Sequence, residues 1–187
     1  MRYDSRQMVL LLGSNIQPQH NLPKAVALLS ERFDILAISS VWESAAIGSD
    51  GPNFLNAAIL LESKLAPQTM KDFVLRPLEA SLGRVRVHDK NAPRTIDLDV
   101  VIWGKHTWDA EIWQHAHAAV PVAELLPDFR TSPKGPSLQQ AANQLQVESE
   151  IRLQPEITQQ IKALSEASSY FSFPLPMGSL TDVRAGS

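Results

Sequence analysis

The sequence predicts an α+β fold built on an antiparallel sheet, and three observations predict it. Four short apolar or alternating runs, at 8–12, 35–42, 54–62 and 95–103, read as strands. Two stretches with helical spacing fall after the first run and after the third. The resulting order, β-α-β-β-α-β, is the ferredoxin-like arrangement, an antiparallel sheet with helices on one face.

The elements follow in order. Residues 8–12 are a short buried strand, ended by Gly13-Ser14-Asn15. Asn21 is expected to cap a helix with Pro23 in its first turn, running to about Phe33. Ala25, Leu28 and Leu29 give that helix a core face. Residues 35–42 alternate and are rich in β-branched side chains, so they form one strand. Residues 44–53 contain two Gly and one Pro and read as a loop, and 54–62 return as a strand. Pro67 begins a second helix that runs to Leu82, with Pro77 expected to kink it. Gly83, Asn91, Ala92 and Pro93 mark the loop that leads into the strand at 95–103.

Beyond Gly104 the pattern weakens. Residues 120–126 suggest a short helical turn closed by Pro127-Asp128, and 131–136 a hinge or loop. Residues 137–146 and 156–165 have helical spacing. The end, 168–187, is Ser-, Pro- and Gly-rich, and little order is expected there unless Tyr170, Phe171 and Phe173 pack on something. The expected organisation is one domain over 1–150 and a C-terminal extension over 151–187, a helix followed by a flexible tail.

Composition narrows the function. A chain of 187 residues, 44% hydrophobic and 20% charged, suits a globular domain with an ordinary core. A net charge of -3 and a pI near 5.9 argue against a general nucleic-acid or anionic-membrane binder. A nucleic-acid-binding sheet would also want exposed aromatics and a basic surface. With no cysteine, disulfides, thiolate catalysis and Cys-zinc sites are excluded. A cytoplasmic setting is expected: the 8–12 run is too short for a signal sequence, and no run approaches a membrane span.

The chemistry concentrates in Pro93-Arg94-Thr95-Ile96-Asp97-Leu98-Asp99. In a strand, residues two apart share a face, so Asp97 and Asp99 project side by side while Ile96, Leu98 and Val100 point the other way. Asp is disfavoured in strands, so the pair needs a reason. One reason is hard-cation binding, with Mg²⁺ on the carboxylates gripping substrate phosphates. The other is a solvated face whose carboxylates pair with Arg. The preceding loop carries Arg84, Arg86, Lys90 and Arg94. A basic loop feeding an acidic strand fits a phosphate site in which guanidiniums take the remaining oxygens.

These residues carry a resemblance. Leu12-Gly13-Ser14-Asn15, Phe54-Leu55-Asn56-Ala57-Ala58, Gly83-Arg84-Val85-Arg86, the Arg94–Asp99 word and Val120-Pro121-Val122-Ala123-Glu124-Leu125-Leu126-Pro127-Asp128 occur in order over about residues 7–150. Together they resemble the 6-hydroxymethyl-7,8-dihydropterin pyrophosphokinases of folate biosynthesis. The resemblance implies pyrophosphoryl transfer from ATP to the pterin hydroxymethyl oxygen, with release of AMP. It implies two Mg²⁺ ions on Asp97 and Asp99, charge stabilisation by Arg84 and Arg94, and phosphate binding by Arg86. Glu79 falls on a family acidic position near the nucleotide; read from the residues alone, it is as readily an exposed helix Glu. The resemblance also implies that Asn56 hydrogen-bonds the pterin edge, Phe54 stacks on the ring, and Ser44, Ala45, Ala46 and Ile47 offer main-chain contacts.

The chain departs from the family at the lid. Asn91 and Ala92 stand where a Trp and a Gly are usual. The segment between Gly104 and Val120 is shorter and lacks a Pro-His pair. His115 and His117 fall where the family has an Arg and a pterin-stacking Phe. His117 can still stack on a pterin. Trp108 and Trp113 are expected to refill part of the shortened segment. Two other readings accord with these changes: a relative acting on another pterin, and a non-catalytic ligand-binding or interaction protein. The oligomeric state is not fixed by the sequence.

Overall fold

Among the described residues the sheet has seven strands: β1 (Gln7–Ser14), β2 (Ile35–Ile38), β3 (Trp42–Ser44), β4 (Phe54–Glu62), β5 (Asp97–Trp103), β6 (His106–Thr107) and β7 (Ile151–Leu153). Every pairing is antiparallel, in the order β6-β5-β1-β4-β3-β7, with β2 also on β4. The structure, a computed structural model, describes residues 6–48, 51–86, 89 and 92–169. Lys90, Asn91 and the segment 170–187, with Tyr170, Phe171 and Phe173, lie outside the described residues.

Strand alternation divides the core in two. Leu10, Leu12, Ile59, Leu61, Leu98 and Val100 face a layer made by α1 (Pro18–Ser30), the second helical element and α6 (Pro155–Ser169). Val9, Ala58 and Val101 face α4 (Ala116–Leu125) and α5 (Leu138–Glu148). The two helices of the β-α-β-β-α-β unit thus share one face, and α4 and α5 cover part of the other. Register places Gly13 opposite both Asn56 and Asp97, and Leu11 opposite both Ala58 and Asp99.

Local chemistry explains where the elements differ from expectation. Helix α1 starts at Pro18, with Pro favoured in a first turn and Gln17 before it at φ +46°. Asn21 therefore lies inside the helix, buried, and its Nδ2 donates to Ile16 O at 2.7 Å. The run 35–42 breaks into β2 and β3 at Ser39, whose Oγ accepts the Ala58 N–H at 2.8 Å. The second helix runs as α2 (Pro67–Met70), a π-helical turn (Lys71–Leu75) and α3 (Arg76–Ser81). Pro77 has no N–H for the Phe73 carbonyl and crowds it. The wide turn just before Pro77, closed by Arg76 N–H on Lys71 O, absorbs that misfit.

Past β5 more is ordered than the pattern suggests. The expected turn at 120–126 is a ten-residue helix, and Ser137 with Gln140 forms a capping box on α5. In the C-terminal extension β7 pairs with β3, and Ile157 and Ile161 enter the first core. Val41 bonds both ways with it: its N–H donates to Thr158 Oγ1 at 2.8 Å and its carbonyl accepts Gln154 N–H at 2.9 Å. Among the described residues no helix is long and apolar enough to cross a membrane.

Candidate functional site

A cleft of about 550 Å³ opens over the end of the sheet that α4 and α5 leave bare. Its floor is a row across three strands: Asn56, Gly13 and Asp97, flanked by Phe54, Leu11 and Asp99. The period of two in β4 and β5 is what points these side chains into one space. Gly13 keeps the floor open. A Cβ there would lie 3.3 Å from Asn56 Oδ1 and 3.7 Å from the Phe54 ring.

The two aspartates are held by cations. Asp97 pairs with Arg84 Nη2 at 3.1 Å through Oδ1 and with Arg94 Nη1 through Oδ2. Asp99 Oδ1 pairs with Lys71 Nζ at 2.7 Å. Arg84 also donates to Ile96 O at 2.9 Å, and its buried Nε has no hydrogen-bond acceptor among the described residues. Arg94 is fixed from several sides. Its Nε donates to Ala92 O, its guanidinium lies 5.7 Å from the Phe54 ring centroid, and its N–H donates to Asn15 Oδ1 at 2.7 Å. Its carbonyl accepts the Asn15 and Ile16 N–H groups, both at 3.1 Å. Ser14 Oγ donates to Thr95 O at 2.5 Å. The Gly13-Ser14-Asn15 word therefore fastens the arginine segment onto the end of β1.

Glu79 sits behind this wall, 2% exposed. Its Oε1 accepts the Leu98 N–H at 2.9 Å, between the two aspartates, and its Oε2 accepts from Arg86 Nη2 at 2.6 Å. Burial raises its carboxyl above the ordinary value, with Asp97 adding to the rise; the Leu98 N–H, Arg84 and Arg86 pull the other way without overcoming it. Among the described residues β6 pairs with Ile102 and Trp103 alone, which leaves β5 an open edge at Leu98. Glu79 satisfies the donor that this edge exposes.

The acceptor end is built on β3 and β4. Asn56 Nδ2 donates to Ser44 Oγ at 3.0 Å and to Trp42 O at 3.3 Å, which sets its carboxamide over Gly13. Trp42 is fixed in turn from α4. Glu124 accepts its Nε1–H at 2.6 Å and the Ser40 N–H at 2.8 Å. The far wall carries Asp109, Glu111, His115 and His117. The two imidazoles stack 5.5 Å apart at 17°. Burial, then the neighbouring His115, lowers His117 from 6.5 to about 4. Burial and the nearby Asp109, Asp99 and Asp97 raise Glu111, against the pull of His115. Trp113 stacks on Phe129 in the second core, while Trp108 is half exposed and outside the cleft.

Of the residues singled out in the sequence, Ser44, Ala45, Ile47, Phe54, Asn56, Arg84, Arg86, Arg94, Asp97, Asp99 and His117 line this one cleft. Ala46 and Glu79 do not line it, and Glu79 acts from behind through Leu98 and Arg86. Sequence reasoning missed Lys71, which reaches Asp99 from the π-helical turn. It also missed Asp109 and Glu111.

The donor set suits a hard divalent cation: carboxylate oxygens on one strand face, beside a cleft. Among the described residues no group of three or more His, Cys, Asp or Glu is arranged to hold a metal. A cation on Asp97 and Asp99 would take its other ligands from substrate oxygens and water, as Mg²⁺ usually does.

The family model that matches the chain is that of 7,8-dihydro-6-hydroxymethylpterin-pyrophosphokinase (HPPK), over residues 9–127. Among curated proteins, the 2-amino-4-hydroxy-6-hydroxymethyldihydropteridine pyrophosphokinase of Pseudomonas aeruginosa is 30% identical over 137 residues, covering 67% of this chain and 83% of that protein. The protein of the same name from Synechocystis sp. is 29% identical over 148 residues, covering 73% of this chain and 75% of that one. A folate synthesis bifunctional protein of Arabidopsis thaliana is 30% identical over 131 residues, 64% of this chain. The chain spans about a quarter (27%) of that longer relative's length. Among solved structures, a Plasmodium falciparum HPPK-DHPS superposes with a TM-score of 0.56 at 10% identity, covering 74% of this chain and 44% of that one. That likeness is one of fold.

Proposed function

The chain belongs to the 7,8-dihydro-6-hydroxymethylpterin-pyrophosphokinase family, and from that premise we propose that it transfers pyrophosphate from ATP to the hydroxymethyl group of 6-hydroxymethyl-7,8-dihydropterin, releasing AMP. The observation that carries this reading is the joining, in one cleft, of a carboxylate pair, three arginines and the Asn56–Phe54 acceptor floor.

In the reaction the acceptor hydroxyl oxygen bonds to the β-phosphorus of ATP. The bond from that phosphorus to the α–β bridging oxygen breaks, AMP leaves with that oxygen, and the hydroxyl proton passes to solvent. Such a transfer depends on positioning and charge stabilisation more than on covalent help. Phe54 and Asn56 place the acceptor: the ring offers a stacking face, and the carboxamide meets the polar edge. Ser44, Ala45 and Ile47 line the same end, and His117, neutral above its lowered pKa, offers a second stacking face. Arg84 and Arg94 are already anchored, so they meet charge developing on the transferred group with little reorganisation. Arg86, more exposed, holds the outer phosphates. Asp97 and Asp99 would hold two Mg²⁺ ions, which would neutralise phosphate charge and align the triphosphate.

The test is turnover of Mg-ATP against an acceptor panel. AMP should form with 6-hydroxymethyl-7,8-dihydropterin and not with the 6-methyl analogue, which has no hydroxyl. Faster turnover of a different pterin alcohol would move the assignment to that acceptor. No AMP with any acceptor would contradict catalysis.

A further inference from the structure

Lys71 belongs to neither of the elements that supply the other charged residues of the phosphate end. It starts the π-helical turn in the layer beneath the sheet and passes the open edge of β5 to reach Asp99 on the upper face. Pi-helical turns recur where a helix must present a functional side chain. Here the turn is forced by Pro77 and aims an ammonium at a carboxylate that the proposed function assigns to metal.

We propose that Lys71 is an exchangeable counter-ion. It holds Asp99 while the site has no metal, gives that carboxylate up to an incoming divalent cation, and then pairs with a phosphate oxygen of the nucleotide. This rests on the reading of Asp97 and Asp99 as the metal face.

The three cations on the aspartates are not equivalent. The Arg84 and Arg94 side chains are 11% and 18% exposed, and both have anchors besides Asp97. Lys71 is 35% exposed, and among the described residues its polar contact is the one to Asp99 at 2.7 Å. A guanidinium is a rigid fork, whereas an ammonium is a hydrated point charge on a flexible stem. Lys71 is therefore the cation that can leave at small cost. At Asp99 it is also the cation that a metal would crowd. A divalent ion at its usual ~2.1 Å from Asp99 Oδ1, the oxygen that Lys71 holds, would lie within ~5 Å of the ammonium, where like charges repel. Triphosphate oxygens bound at the same face give the released Lys71 a new anionic partner within the cleft that it lines.

The test is Mn²⁺ titration by calorimetry, with no nucleotide, on wild-type protein and Lys71→Met. Removing the competing ammonium should tighten Mn²⁺ binding roughly 2- to 5-fold, the size of a partly solvated ion pair. With Mg²⁺ saturating, a non-hydrolysable ATP analogue should bind Lys71→Met more weakly by a similar factor, and Lys71→Arg should restore nucleotide affinity. Lys71→Gln serves if the Met variant does not fold. Equal or weaker Mn²⁺ binding by a folded variant would overturn the exchange and leave the metal face standing. No Mn²⁺ binding by wild type would overturn the metal face, and the exchange with it.

Discussion

Replacing Glu79 separates two jobs that its carboxylate performs. Glu79→Ala strands the Leu98 N–H, whose acceptor is now 2.9 Å away. An unsatisfied backbone donor costs roughly 1–3 kcal/mol. Loss of the Arg86 contact adds at most ~1 kcal/mol, because the Arg86 side chain is 54% exposed. The expected total is about 1–4 kcal/mol. Glu79→Gln keeps an acceptor for Leu98 and resembles the protonated acid. Because the carboxyl is raised above 4.5 in the folded protein, ionisation there opposes folding. The sign follows. The folded state holds the Glu79 proton more tightly than the unfolded chain. Its contribution favours the fold at low pH and declines as pH rises from 4.5 through the raised folded value. Glu79→Gln lacks that decline, so it should lie within ~1 kcal/mol of wild type at pH 7 and gain on it as pH rises from 4.5. Urea unfolding of the three proteins at several pH values measures this. Equal destabilisation by Gln and Ala, or parallel pH profiles for Gln and wild type, would refute the reasoning.

Other predictions follow from the same geometry. Asn15→Ala removes the acceptor for the Arg94 N–H and the donor to Pro52 O at 3.1 Å. It should cost roughly 1–3 kcal/mol in unfolding and lower kcat more than it raises the KM for ATP. Asn56→Ala should raise acceptor KM at least ~10-fold, the scale of a lost polar pairing, and unchanged acceptor KM would remove Asn56 from the acceptor site. His117 is lowered from 6.5 to about 4, so its contribution to stability is present above 6.5 and lost as pH falls through that window. His117→Phe should flatten the stability profile between those values; a profile unchanged by the substitution would contradict burial of the neutral imidazole.

What the sequence reveals depends on how local the cause is. Asp97 and Asp99 are legible because strand period alone puts them on one face. The nearness of Arg84 and Arg94 to that pair is legible because the basic loop runs directly into the strand. Lys71 is hidden, because its reach depends on the wide turn before Pro77 and on the open edge of β5, and neither is a property of its neighbours in sequence. The Gly13-Ser14-Asn15 word is visible, but its work of tying down Arg94 and Thr95 appears only when β1 lies beside β5. Helix α4 shows weakly because Ala116 and the whole run from Ala118 to Ala123 are buried, which leaves little amphipathic contrast. Strand β7 is three residues long and takes its identity from β3.

The most direct measurement of the central claim is phosphorus NMR of the products from Mg-ATP and 6-hydroxymethyl-7,8-dihydropterin, with wild type and Asp97→Ala side by side. Wild type should give AMP and a pterin carrying two coupled phosphorus atoms, and folded Asp97→Ala should give neither. ADP with a singly phosphorylated pterin, or equal turnover by the Asp97→Ala protein, would contradict the account.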